Sequence, residues 1–214
     1  MQITGKNVLD AWKKCLSEII ENGEEHLDDK SKAVKEILNM QIEVQDASDL
    51  DKVFEILNSL GNFAFPPKEE LKNFILSRRS IPGYYYNYGA RAFNFNGTNQ
   101  IDDYIIPMLK SNCSSKRAVV VFYNPKEDSH LERKDTPGMI MIDFKIRNGK
   151  LDVTSIIRSN NMLYGWPANV YQSFLLQEYI SQELKVKPGK ITTFSTSAHL
   201  IEEDLEYAGR IVGK

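Results

Sequence analysis

The chain has 214 residues, enough for one sizeable hydrophobic core and too few to require two. An apolar share of 42% beside 26% charged residues is ordinary for a soluble globular protein, and the sequence has no internal repeat or low-complexity tract. The net charge of −2 supplies no field to gather nucleic acid or an anionic membrane, and no apolar run reaches the ~18 residues of a membrane span.

The opening Met1 to Lys6 has no basic region followed by an apolar core, so a signal peptide is not expected. Val8, Trp12, Cys15, Leu16, Ile19 and Ile20 recur at helical spacing, and Asn22-Gly23 ends that helix. Glu24 to Lys35 is charged and reads as a loop. Met40, Ile42 and Val44 alternate as a strand with one buried face. Leu50, Val53, Phe54, Leu57 and Leu60 form a second helical stripe, stopped by Gly61. Pro66-Pro67 suits the first turn of a helix running to Ser77. Tyr84 to Gly89 reads as an aromatic loop. Ile101 to Lys110 reads as a helix that Pro107 must kink or stop.

Ala118 to Tyr123 is a continuous β-branched and aromatic run, expected as a buried strand. Met139 to Arg147 and Leu151 to Ile157 alternate around Asn148-Gly149, a two-residue hairpin signal. Val170 to Leu184 is apolar on most sides and predicts a central buried helix, broken by Lys187-Pro188-Gly189. Ile191 to His199 then reads as the last strand and Glu202 to Val212 as a closing amphipathic helix. The mixture predicts an α+β fold with a mixed sheet in one domain spanning residues 1–214. Cys15 and Cys113 have no metal-ligand spacing, so no metal is expected and a reducing cytoplasm fits.

The stretch from Arg158 to Asn169 sets a cation, a hydroxyl, three amides, a glycine and a proline between two apolar elements. Such polar density near a core calls for a ligand or for internal partners. Arg158 and Ser159 offer a phosphate paired donors and a hydroxyl. Ser115-Lys116-Arg117 is a second such cluster, although either alone is equally a solvated strand end. Asn169 offers a donor and an acceptor side by side, matching the O4 and N3–H edge of uracil; the alternative is a helix N-cap. His199 follows a run of hydroxyls and can bond a sugar or relay a proton, or be a satisfied strand-end histidine. Tyr84 to Tyr88 can stack on a base or pack locally.

Together these motifs resemble thymidylate synthase and the related pyrimidine-nucleotide hydroxymethylases. That family carries R-S-x-D-x-x-x-G-x-P-x-N, and this chain has Arg158, Ser159, Asn161, Gly165, Pro167 and Asn169. Tyr88-Gly89, Ser115-Lys116-Arg117, the Asn148-Gly149 turn and Ser197-Ala198-His199 follow the family's order. The resemblance covers about residues 85 to 208, and the close after His199 resembles the short archaeal branch. It implies a homodimer that binds a pyrimidine nucleoside 5′-monophosphate; charge and hydropathy leave neither nucleic acid nor membrane expected as a partner. Arg158 and Ser159 would hold the phosphate, with Lys116 and Arg117 reaching it from a second copy of the chain. Asn169, with Gly165 beside it, would face the base, and His199 the ribose or an ordered water.

The departures are as specific. Where the family has a nucleophilic cysteine in P-C-H, this chain has Pro137-Gly138-Met139, and glycine cannot add to C6 of a base. The family's folate-binding Asp is Asn161, and the tyrosine after its histidine is Ile201. Folate is therefore a cofactor that the family implies and Asn161 disfavours. Neither Cys113 nor Cys15 occupies the nucleophile position. Three readings follow: nucleotide binding without the standard cysteine-dependent methylation, altered chemistry on a pyrimidine nucleotide with Tyr88 and His199 as acid–base groups and another cofactor such as reduced flavin, or a scaffold on a reused fold.

Overall fold

A computed structural model describes residues 1–61, 66–132 and 135–214. In chain order, β1 (Gln2–Gly5) and α1 (Val8–Asn22) lead into β2 (Glu24–Leu27), β3 (Ala33–Val44) and α2 (Leu50–Ser59). Next come α3 (Lys68–Leu76), α4 (Tyr88–Phe93), a π-helical turn (Ile101–Ile105), α5 (Ile106–Ser111), β4 (Val119–Val121) and α6 (Pro125–Asp128). Strands β5 (Met139–Arg147), β6 (Lys150–Ile157) and β7 (Asn160–Asn161) precede α7 (Gly165–Leu184), β8 (Lys187–Ile201) and α8 (Glu202–Val212). Parallel and antiparallel pairings both occur, as an α+β fold with a mixed sheet requires.

The chain contributes to two compact units. One comprises Met1–Phe65, Ile157–Tyr171 and Lys190–Lys214; the other comprises Pro66–Ile156 and Gln172–Gly189. In the first unit β3 carries β8 antiparallel along one edge. Its other edge takes β2 antiparallel over Ala33 to Glu36 and β1 parallel over Gln41 to Val44. Trp12, Leu16 and Ile19 of α1 and Met40 and Ile42 of β3 are fully buried. The α1 N-terminus is held by Asp49, whose carboxylate accepts from the amides of Val8 at 2.9 Å and Leu9 at 3.1 Å.

Segment Glu24 to Lys35 is not the loop that its charge suggested. It forms β2 and opens β3. All four residues of β2 are exposed, so no buried face imposes a period of two on the sequence. Charge pairing marks the strand instead: Glu25 faces Lys35 in register, and Lys35 Nζ lies 3.4 Å from Glu25 Oε1.

In the second unit the hairpin forms as expected. Asn148 and Gly149 both have positive φ, at 52° and 71°, as a type I′ turn requires. Strand β4 is shorter than the Ala118 to Tyr123 run and lies at the end of the β6-β5-β4 order. Its Val121 is 39% exposed, and the Gln100 carboxamide bonds both its amide (3.0 Å) and its carbonyl (2.8 Å). A side chain thus closes the edge where a neighbouring strand would lie. Pro107 produces the expected irregularity: one π-helical turn precedes α5, which carries the proline in its first turn.

Three further boundaries differ from expectation. Tyr88 and Gly89 begin α4, while Tyr84 to Asn87 lie outside it. Helix α7 begins at Gly165, since Pro167 falls in its first turn and needs no amide donor there. Lys187 to Gly189 do not turn: the Lys187 amide donates to the Gly149 carbonyl at 3.3 Å, and the Gly189 carbonyl accepts from Gln177 Nε2 at 3.2 Å. Strand β8 therefore starts four residues before Ile191.

Candidate functional site

The first unit holds Arg158, Ser159, Asn161, Gly165, Asn169 and His199. Arg158 and Ser159 are exposed just after β6 ends, and the Arg158 carbonyl accepts from Thr196 Oγ1 at 2.7 Å. The next two residues form β7, which pairs in parallel with Ala198 and His199 of β8. The Met162 amide then donates to the His199 carbonyl at 2.8 Å. Short as it is, β7 ties the Arg158-Ser159 segment to the strand bearing His199.

Asn160, which the sequence reading passed over, is the hub of this region. It is fully buried. Its Nδ2 donates to Ser195 Oγ at 3.0 Å, and its Oδ1 accepts from Asn169 Nδ2 at 3.1 Å. Because Asn160 turns its oxygen towards residue 169, the Asn169 carboxamide must turn its nitrogen back. Asn169 is thus oriented by a protein partner. It is the fifth residue of α7 and not an N-cap, which corrects that alternative. A Cβ on Gly165 would stand 3.5 Å from Asn160 Oδ1, an ordinary contact, so packing alone does not require a glycine there.

Asn161 serves the fold. Its Oδ1 accepts from the amides of Leu163 at 2.9 Å and Tyr164 at 3.3 Å, turning the chain towards α7. Its Nδ2 donates to Asp204 Oδ2 at 2.6 Å, in the first turn of α8. Burial raises the Asp204 carboxyl above its ordinary range against that hydrogen bond, with Glu203 adding to the rise. Burial likewise raises the Tyr164 phenol, with Asp204 contributing.

His199 is half-buried. Burial holds its imidazole below the ordinary value; Glu36, the Ser197 backbone and Asp28 oppose this, and His26 adds to it. Burial therefore favours the neutral ring.

The second unit holds Tyr88, Lys116, Arg117 and Gly138. The Tyr88 hydroxyl accepts from the Met139 amide at 3.0 Å, one residue from Gly138. Its ring lies 5.3 Å from Phe74 and 5.0 Å from Phe122, and Tyr84 and Tyr86 also meet Phe74 edge-on. The tyrosine cluster packs locally, as its second alternative held. Arg91, one turn along α4, anchors Tyr88's helix. Its guanidinium reaches the Phe122 carbonyl at 2.5 Å and both oxygens of buried Asp128, at 2.5 and 2.9 Å. Neither residue of this pair was singled out from sequence.

Lys116 and Arg117 are exposed before β4 and, among the described residues, form no ion pair. Buried Ser115 shapes their loop: its Oγ accepts from the Arg117 amide at 3.2 Å. Cys113 is exposed in the same loop. Cys15 is fully buried in α1, and burial pushes its thiol far above the range in which a nucleophilic thiolate forms. Among the described residues no cluster of His, Cys, Asp and Glu could hold a metal ion, and no helix is long and apolar enough to cross a membrane.

The family pattern described as thymidylate synthase matches residues 77–213. A Methanosarcina mazei protein, provisionally named thymidylate synthase, is 32% identical over 98% of this chain and 94% of its own length. A Methanocaldococcus jannaschii protein of the same provisional name is 34% identical over 94% of this chain and 91% of its own. A deoxyuridylate hydroxymethyltransferase of Bacillus phage SP01 is 32% identical over 117 residues, covering 54% of this chain and 30% of the phage protein. The chain belongs to the thymidylate synthase family.

Proposed function

We propose that the chain binds a pyrimidine nucleoside 5′-monophosphate, uracil nucleotides first, and does not methylate C5 through a cysteine nucleophile. The observation that carries this reading is the Ser195–Asn160–Asn169 chain of hydrogen bonds, centred on buried Asn160. It orients the Asn169 carboxamide through Asn160, the residue that follows the exposed Arg158-Ser159 pair, while residue 138 is glycine. Arg158 and Ser159 hold the phosphate, Asn169 reads the base, and His199 bonds the sugar or a water. Lys116 and Arg117 complete the phosphate site from a second copy in a cytoplasmic homodimer. Exposed Leu38 and half-buried Phe194 on β3 and β8 are apolar surface that a second copy could cover. Cys15 offers no replacement nucleophile, since it is buried and its thiol stays protonated. Folate is disfavoured because both polar atoms of the Asn161 carboxamide already have protein partners.

Titration calorimetry with dUMP, UMP, dCMP and CMP tests this reading. Tightest binding of dUMP or UMP is expected; no heat with any of the four would overturn it.

The phage relative supports a second reading, transfer of a one-carbon group to a pyrimidine nucleotide by altered chemistry, with Tyr88 and His199 moving protons. Mass spectrometry after incubation with dUMP and a one-carbon-bearing folate, with and without reduced flavin as the reductant, distinguishes the two. A mass gain favours the second reading, and unchanged dUMP favours the first.

A further inference from the structure

Two side-chain hydrogen bonds in the first unit join His199 through Ser197 on β8 to Glu36 on β3, and an ion-pair contact continues from β3 to β2. Glu36 on β3 is the register partner of His199 on β8. Ser197 precedes His199 by two residues, so both lie on the same face of the strand. Ser197 Oγ donates to Glu36 Oε1 and stands 3.3 Å from His199 Nδ1. The other carboxylate oxygen, Glu36 Oε2, is 3.6 Å from His26 Nε2 on β2.

Proton counting then fixes the histidine. An ionised carboxylate only accepts hydrogen bonds, so the single Ser197 hydroxyl proton is committed to Glu36. Towards the imidazole, Ser197 Oγ can only accept, and His199 Nδ1 must carry a proton. In a neutral ring the remaining nitrogen, Nε2, is then an acceptor. We infer that Glu36 and Ser197 are positioning residues that lock His199 in its Nδ1–H tautomer, so that Nε2 accepts a hydrogen bond from a donor on a bound ligand. Without Glu36 the Ser197 proton could swing to Nδ1, and the ring would present a donor to the ligand instead. The charged and titratable groups facing the ring are Glu36 on β3, Asp28 in the β2–β3 turn and His26 on β2; the Ser197 backbone also favours the protonated ring. The identity of the ligand as a nucleotide rests on the function proposed above; the tautomer does not.

The test is nitrogen-15 NMR of the ligand-free, full-length protein at pH 7.5. His26→Gln and His130→Gln variants assign the ring signals. The native protein should show His199 Nε2 as the nitrogen with the lone pair. In Glu36→Gln the carboxamide can donate to Ser197, so the Nε2–H form should appear and the His199 pKa should fall. Ser197→Ala should mix the tautomers, and Ser197→Thr, which keeps a hydroxyl, should restore the native pattern. An Nε2–H form in the native protein, or a Glu36→Gln variant with unchanged tautomer and pKa, overturns the inference. Adding dUMP should move the Nε2 resonance. Binding heat with that resonance unmoved overturns the ligand half of the inference. Absence of heat defeats the nucleotide reading and leaves the tautomer assignment to stand on the ligand-free spectra.

Discussion

Replacing Asn160 by alanine should destabilise the protein far more than a typical asparagine substitution. Asn160 is fully buried and is bonded on both sides, to Ser195 Oγ at 3.0 Å and Asn169 Nδ2 at 3.1 Å. Alanine keeps neither bond. Ser195 is itself fully buried, so its hydroxyl loses that partner where water cannot replace it. A stranded buried group costs about 1–3 kcal/mol. Asn169 is half-buried, so water can recover part of its loss. The two losses together come to ~2–4 kcal/mol, a large share of the ~5–15 kcal/mol that holds a domain folded. Urea unfolding followed by circular dichroism should show a lower midpoint with an unchanged slope. An Asn160→Ala midpoint within ~0.5 kcal/mol of the parent, the range of ordinary surface changes, would refute the claim that Asn160 is the hub of the polar segment.

Gly89→Ala should unfold the protein at markedly lower temperature. A Cβ there would stand 2.7 Å from the Ser77 amide nitrogen and 2.9 Å from the Ile75 carbonyl carbon, backbone that cannot swing away. A loss of ~3 kcal/mol or more is expected by calorimetry, and an unchanged Tm would show that α4 can shift off α3. Gly138→Cys tests the expectation, drawn from the family resemblance, that residue 138 stands where the nucleophile would be. The variant should become protected from iodoacetamide by dUMP and, with added free thiol as the reductant that removes bromine as bromide, should dehalogenate 5-bromo-dUMP. Equal labelling with and without nucleotide would count against a pocket at that position. The chain passes four times between its two units, so one cooperative calorimetric transition is expected of a single domain. Two resolved transitions would make the units independent domains.

Elements with a buried stripe were legible in the sequence. Helix α1, helix α8 and the β5–β6 hairpin run where periodicity and the Asn148-Gly149 turn put them. The misplaced boundaries lack that stripe. Strand β2 is exposed on both faces, and the first turn of α7 opens with Gly165 and Pro167, which read as breakers. For the site, sequence supplied the residues with unusual chemistry, such as Arg158, Asn169 and His199, but not those that orient them. Asn160 looked like a spacer inside a motif, and Asp204 like one acid of the charged run Glu202-Glu203-Asp204. Their importance comes from burial and from partners 35 and 43 residues away, at Ser195 and Asn161, which no local pattern encodes.

Asn161 itself shows how such a partner can account for a departure from the family motif, which has aspartate at this position. Aspartate at 161 would still accept from the Leu163 and Tyr164 amides, so the chain turn would survive. What it would lose is the Nδ2 donor that meets the Asp204 carboxylate at 2.6 Å. Two carboxylates at that separation cannot both ionise, and one proton would be shared between them. Asp204 already sits above its ordinary range through burial, and a second carboxylate would raise the pair further. The folded state would then hold a proton that the unfolded chain has released. Stability would be lost as pH rises from the ordinary carboxylate value of 3.8 through the raised folded value, and regained as pH falls back below it. Asn161→Asp should therefore be destabilised at pH 7 and much closer to the parent at pH 4. Adding Asp204→Asn should restore an amide–carboxylate pair with the roles exchanged, a coupling of about 1–3 kcal/mol in a double-mutant cycle at pH 7. If the two substitutions instead add to within ~0.5 kcal/mol, the positions are energetically independent. The amide at 161 would then owe nothing to Asp204, and the departure would have to be explained from the ligand side.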